Sequence, residues 1–154
     1  MGQGQRSSRD RLIGSWKLIS WDATNPQTGE VAYPCGKNAT GRITYDAGGR
    51  MAAQIMDPDR RKVGTPGLEH TEYIRSIAAQ DAAEFSAGYR AYYGSYTVDE
   101  IKSTVTHHVE GELDPVAVGR NRLRTVDFVT DDRIVLGYAI QGRQHRLLWE
   151  RERP

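Results

Sequence analysis

The sequence is poor in the residues that staple, metallate or anchor small proteins. Of 154 residues one is cysteine, Cys35, which excludes an internal disulfide framework and a cysteine-rich zinc module. Apolar runs are only a few residues long, so no segment reads as a membrane span. The first ten residues, MGQGQRSSRD, hold no apolar stretch, and no secretory leader is expected there. An excess of one charge is also missing: 21 Lys and Arg face 20 Asp and Glu, a net of +1. That balance argues against nucleic acid or an anionic membrane as partner. No GxGxxG, GxxxxGKS/T, GxSxG or HExxH pattern occurs, which disfavours nucleotide-dependent, α/β-hydrolase and zincin chemistry. These absences leave a chain the length of one domain, expected in the cytoplasm, with no cofactor implied.

What is present is strand pattern. Residues 1–10 read as a flexible arm, and residues 11–153 as one domain. From Leu12 to Trp21 the run LIGSWKLISW alternates, with Leu12, Gly14, Trp16 and Leu18 on one face and Lys17, Ile19 and Trp21 on the other. A short strand over 30–33 ends at Pro34. Then GRITYD and RMAAQIM, joined through Gly48-Gly49, form an expected hairpin. After a polar loop over 57–67, residues 68–92 are Ala-rich and space Tyr73, Ile77, Phe85 and Tyr89 as one long or two short helices do. From Gly94 the β pattern resumes through five more runs with short polar separators. Separators of that length join antiparallel neighbours. About nine strands in a meander must close or leave exposed edges, so the expectation is a mainly-β, up-and-down barrel with one helical insertion.

Strand parity selects the candidate site. His107 lies mid-strand, and if Val105 and Val109 face the interior then so does His107, as a general acid/base or a group that orients a ligand. A one-residue slip would put His108 inside instead. Adjacent strand residues point to opposite faces, so the pair cannot chelate one metal ion together, and no metal site is expected. Eight tyrosines against two phenylalanines suit a cavity for an amphipathic molecule. Tyr45, in step with Ile43, and Tyr93, in step with Ser95, are the expected cavity tyrosines. Arg120, Arg122 and Arg124 share a face of one strand, about 7 Å apart, and are expected on the solvated outer face, with Leu123, Thr125 and Asp127 inside. Cys35, between Pro34 and Gly36, carries no sign of a lowered pKa.

The element GSWKL (Gly14–Leu18) resembles the opening signature of the lipocalins. The longer series LIGSWKLISW, YPCGKNATGRITYDAGGRMAAQIM, AGYRAYYGSYTVDE, THHVEGELDPVAVG and LLWER resembles the bacterial and fungal lipocalin-like domain family over nearly all of residues 11–152. The resemblance implies a barrel of about 8–10 strands with a central cavity. It implies that Trp16 closes one end beneath an arginine of the last strand, Arg151, with Arg146 as fallback. It also implies a small and mostly apolar ligand; the reading as a barrel that binds a small hydrophobic or amphipathic molecule has Trp16, Leu18, Ile43, Tyr45, Met51, Ala53, Tyr93, His107 and Tyr138 line or close the cavity. Two functions fit: a binding protein, or a cofactor-independent isomerase or cyclase of polyketide- or terpenoid-like biosynthesis in which His107, Tyr45 and Tyr93 are catalytic. A haem- or metal-binding barrel and a solid structural barrel are further alternatives. Oligomeric state is left open.

Overall fold

The computed structural model describes residues 6–154. Among the described residues nine strands form one antiparallel sheet: β1 Gly14–Thr24, β2 Val31–Ala32, β3 Thr40–Tyr45, β4 Arg50–Met56, β5 Tyr89–Asp99, β6 Thr104–Glu112, β7 Asn121–Phe128, β8 Arg133–Ile140 and β9 Arg143–Arg151. From β3 to β9 each strand bonds its sequence neighbour; β1 bonds β3 on one side and β9 on the other. Eight strands therefore close into a barrel, while β2 only extends the far end of β1. Closure removes the long unpaired edges that an open meander would leave.

Strand direction defines two ends. The starts of β1, β4, β6 and β8 gather at one end, with the tight connections 46–49, 100–103 and 129–132. A short helix, α1 (Ser8–Leu12), plugs that end and buries Leu12 completely. Ser7 caps α1 by accepting from the Asp10 N–H, and the Glu100 carboxylate accepts from the N–H groups of Ser8 and Arg9. The arm expected over residues 1–10 is therefore corrected at Ser8–Asp10, which are helical; residues 1–5 lie outside the described residues.

The other end carries the longer loops and the insertion, which is two helices: α2 (His70–Ser76) and α3 (Ala79–Ala87). Glu69 caps α2, and extended backbone at Ile77 and Ala78 separates the helices. Helix stops at Ala87 rather than near residue 92, because Gly88 ends it and Tyr89 opens β5. The helices sit beside the rim: Arg60 bonds the Phe85 carbonyl oxygen and lies over the Tyr89 ring. Between helices and rim runs a cleft of ≈ 1110 Å³ with Met56, Tyr73, Phe85, Tyr89 and Leu113 in its walls.

Two bulges decide which side chains enter the barrel. The register of β1 against β9 shifts between Leu18 and Ser20, so Trp16 and Leu18 point inward and, one step later, Trp21 and Ala23 also do. Trp21 was expected on the face opposite Trp16; the bulge turns it in. The register of β5 against β6 shifts at Gly94, which pairs Val109 while Tyr93 pairs Gly111, leaving Glu110 over. Gly94 permits this close approach: a Cβ there would stand 1.9 Å from the His108 carbonyl oxygen.

Candidate functional site

The closed half of the barrel is a packed floor. Trp16, Leu18, Ile43, Met51 and Ala53, five of the expected lining residues, are buried there with Ile134 and Trp149. Trp16 donates its indole N–H to the Leu12 carbonyl oxygen at 2.8 Å. The Arg151 guanidinium lies 4.1 Å from the Trp16 ring and donates to the carbonyl oxygens of Ile13 and Arg11. Gly14 explains its place in the signature: its φ is +132°, and a Cβ there would meet the guanidinium at 2.8 Å. Arg151, not Arg146, closes the end.

Above this floor the interior turns polar. His107 is 0% exposed and pairs Tyr96 on one side and Arg122 on the other, while His108 faces outward to Thr97 and Asn121. The two ring nitrogens of His107 meet two phenols: Nε2 lies 2.8 Å from the Tyr45 hydroxyl and Nδ1 2.9 Å from that of Tyr92. Burial, reinforced by the Arg124 and Arg122 charges, pushes the His107 pKa down to about 3, so the ring is neutral at pH 7. A neutral imidazole offers one donor and one acceptor. Tyr45 is almost wholly buried and bonds only His107 among the described residues, so its O–H donates to Nε2. The proton on Nδ1 then donates to Tyr92, and the half-buried Tyr92 keeps its own O–H for another partner. Burial raises the pKa of Tyr45 well above the ordinary phenol value and that of Tyr92 less far, so both remain phenols.

Tyr93 is the correction here. It is 58% exposed and covers Gly111 on the outer wall. Tyr93 and Ser95 do share a face, but it is the outer one; Tyr92, Gly94 and Tyr96 point inward. Tyr92 holds the place that Tyr93 was expected to hold.

The arginines of β7 are the second correction. Residues opposite each other across a ladder share a face, and Arg122 pairs His107 while Arg124 pairs Val105. Both are therefore inside, Leu123 is 59% exposed, and Asp127 is exposed. Arg120 precedes β7 and is exposed. Arg122 lies 4.9 Å from the Tyr92 ring and bonds Glu112 at 2.7 Å; the β6 bulge has turned Glu112 inward, opposite Tyr92. Arg124 lies 3.9 Å from the Tyr138 ring. Tyr138, an expected lining residue, is half-buried and stacks on His145 at 4.4 Å, and His145 Nδ1 accepts from the Trp21 indole N–H.

The sequence reading missed Tyr92, Trp21, Glu112, His145 and the inward Arg122 and Arg124. The alternation of β7 was visible, but parity offers two faces and only the register with His107 chooses between them. Cys35 is buried in the core cluster, and burial raises its thiol pKa. Among the described residues no three His, Cys, Asp or Glu side chains converge as a metal site, and no helix is long and apolar enough to cross a membrane.

A family model described as a lipocalin-like domain matches residues 13–152. No curated protein matches the chain. Solved structures similar to it include a redesigned β-barrel, 11% identical over 96% of each chain with a TM-score of 0.46. Another is a mutant of the fluorescent protein UnaG, 12% identical over 92% of this chain and 96% of that one, with a TM-score of 0.39.

Proposed function

Because the chain belongs to the lipocalin-like domain family, we propose that it binds a small amphipathic molecule in the upper half of its barrel. The observation that carries this reading is the polarity gradient inside the wall. Apolar side chains fill the floor, whereas Tyr92, Arg122, Arg124, Tyr138 and His145 stand half-buried above it. A few convergent polar groups on an apolar wall fix the orientation of a ligand whose affinity comes mainly from apolar contact. All three tryptophans are on the inner surface, so occupancy of the barrel is readable in their fluorescence.

The test is titration with N-phenyl-1-naphthylamine, a neutral fluorophore. Saturable one-to-one binding with energy transfer from the tryptophans is expected, unchanged by Phe85→Glu in the outer cleft. A folded protein that fails to bind, or that loses binding with Phe85→Glu, overturns the reading.

The Tyr45–His107–Tyr92 chain favours a second reading, the cofactor-independent isomerase or cyclase. A histidine with a pKa near 3 does not act as a free-standing base at neutral pH. It holds Tyr92 so that the free O–H can polarise a ligand carbonyl, and orientation in the cavity lowers the barrier further. Native mass spectrometry of the purified protein, followed by extraction, recovers any bound molecule. Returned to the protein in deuterated water, that molecule comes back unaltered from a carrier and rearranged or deuterium-labelled from an isomerase or cyclase.

A further inference from the structure

We infer that the ligand carries an oxyanionic head group, of the carboxylate or phosphate kind, seated on Arg124 and Arg122 beside the Tyr92 hydroxyl; this deepens the binding reading and rests on it. The reasoning starts from the charge left inside the barrel. Arg90, Arg122 and Arg124 all take inward positions on their strands. Among the described residues only Arg122 has a carboxylate partner, Glu112, whose side chain is 1% exposed. Arg90 donates to the carbonyl oxygens of Ala87 and Tyr89 and Arg124 to that of Leu123, and among the described residues neither is ion-paired. Half-burial of a guanidinium without a counter-ion costs solvation free energy, and an anionic head group offsets that cost.

Three features make the pair a cradle rather than stray charge. Arg122 and Arg124 are two residues apart on one strand, about 7 Å, so both reach the same side of the interior. Each lies over a tyrosine ring, Tyr92 and Tyr138, a contact that leaves guanidinium N–H groups to offer. Donors also stand in excess: the Arg122 Nε is buried without an acceptor among the described residues, and the Tyr92 O–H is left over by the His107 network. Planar guanidinium edges beside a phenol O–H match two oxygens of one head group. The deep Trp149 indole N–H, 1% exposed and also without an acceptor, stands lower on the inner face of β9.

The outer cleft is the rival source of anion preference, since Arg60, Arg61 and Lys62 line it. The experiment therefore measures competition against N-phenyl-1-naphthylamine by matched pairs of two shapes: octanoate with octan-1-ol, and 2-naphthoate with 2-naphthalenemethanol. For at least one shape the acid should bind tenfold or more tightly than the alcohol. Arg124→Gln should bring that ratio close to one, with urea unfolding and circular dichroism showing that the variant folds. Phe85→Glu should leave the ratio intact. Octyl phosphate against octanoate identifies which oxyanion the cradle prefers, and octyltrimethylammonium should bind weakest.

Equal binding of acid and alcohol overturns this inference and leaves the binding reading standing. So does a preference that survives Arg124→Gln, or one that disappears with Phe85→Glu. Failure of every probe, the fluorophore included, overturns both. The double variant Arg122→Gln/Glu112→Gln, which removes the ion pair without stranding either charge, should reduce the ratio as well.

Discussion

The burial of His107 makes a quantitative prediction about acid stability. In the unfolded chain its imidazole takes a proton near pH 6.5; in the barrel the pKa is about 3, because protonation would place a charge in the core beside Arg124 and Arg122. Between those values the unfolded state binds more protons than the folded one, so stability falls as pH is lowered through this window. The slope approaches about 1.4 kcal/mol per pH unit, and acidification from pH 7 to pH 5 should remove about 2 kcal/mol through this one residue. That is a large share of the ~5–15 kcal/mol by which domains are stable. Burial lowers the His145 pKa as well, so the assay is a difference. Urea unfolding at pH 7, 6 and 5 is compared for the native chain and His107→Gln, whose neutral amide keeps a donor and an acceptor. The variant should lose about 2 kcal/mol less than the native chain over those two units. Parallel losses would refute the claim that His107 is held neutral in the barrel.

Two further expectations concern the frame around the site. Arg151→Ala removes the cation over Trp16 and two charged hydrogen bonds to the α1–β1 connection, and should cost about 2–4 kcal/mol in urea unfolding with a changed near-ultraviolet circular dichroism of the tryptophans; a loss under 1 kcal/mol would show that α1 closes the barrel unaided. Gly94→Ala drives a Cβ into the His108 carbonyl oxygen and should cost about 3 kcal/mol or more, whereas Ile101→Lys, at a residue 97% exposed, should stay within about 0.5 kcal/mol; equal effects of the two would contradict the packing of β5 on β6.

Much of the barrel was legible because its signals are local. Alternation, short polar separators and the Gly-Gly turn mark antiparallel strands wherever they occur, and the observed β3, β4 and β7–β9 fall within a residue or two of those marks. The placement of Tyr45 followed from a strand without an internal irregularity, and alternation tied His107 to Val105 and Val109, but only the register with Tyr96 settled that His107 rather than His108 is inside. Where a bulge intervened, parity failed. Trp21 lies beyond the β1 bulge and Glu112 beyond the β6 bulge, and each sits on the face opposite to the one simple alternation assigns. Tyr93 and the β7 arginines failed for another reason. Alternation states which residues share a face but not which face is inside, and composition argued for the wrong one: tyrosine in, arginine out.

Local pattern alone settled that strands form, that they run antiparallel and that they must close, from the chain's own periodicity and from separators too short for crossovers. That Trp16 and an arginine of the last strand meet at one end was implied by the lipocalin resemblance, and the steric purpose of Gly14 emerges only with Arg151 in place. The tertiary structure alone decided what the barrel contains. Cross-strand register set Arg122 opposite His107 and Arg124 opposite Val105, and two extra residues turned Trp21 and Glu112 inward. Register depends on the summed packing of all eight strands, and a shift of one residue reverses every side chain on a strand, so the charge of the interior is a property of the closed barrel rather than of any segment.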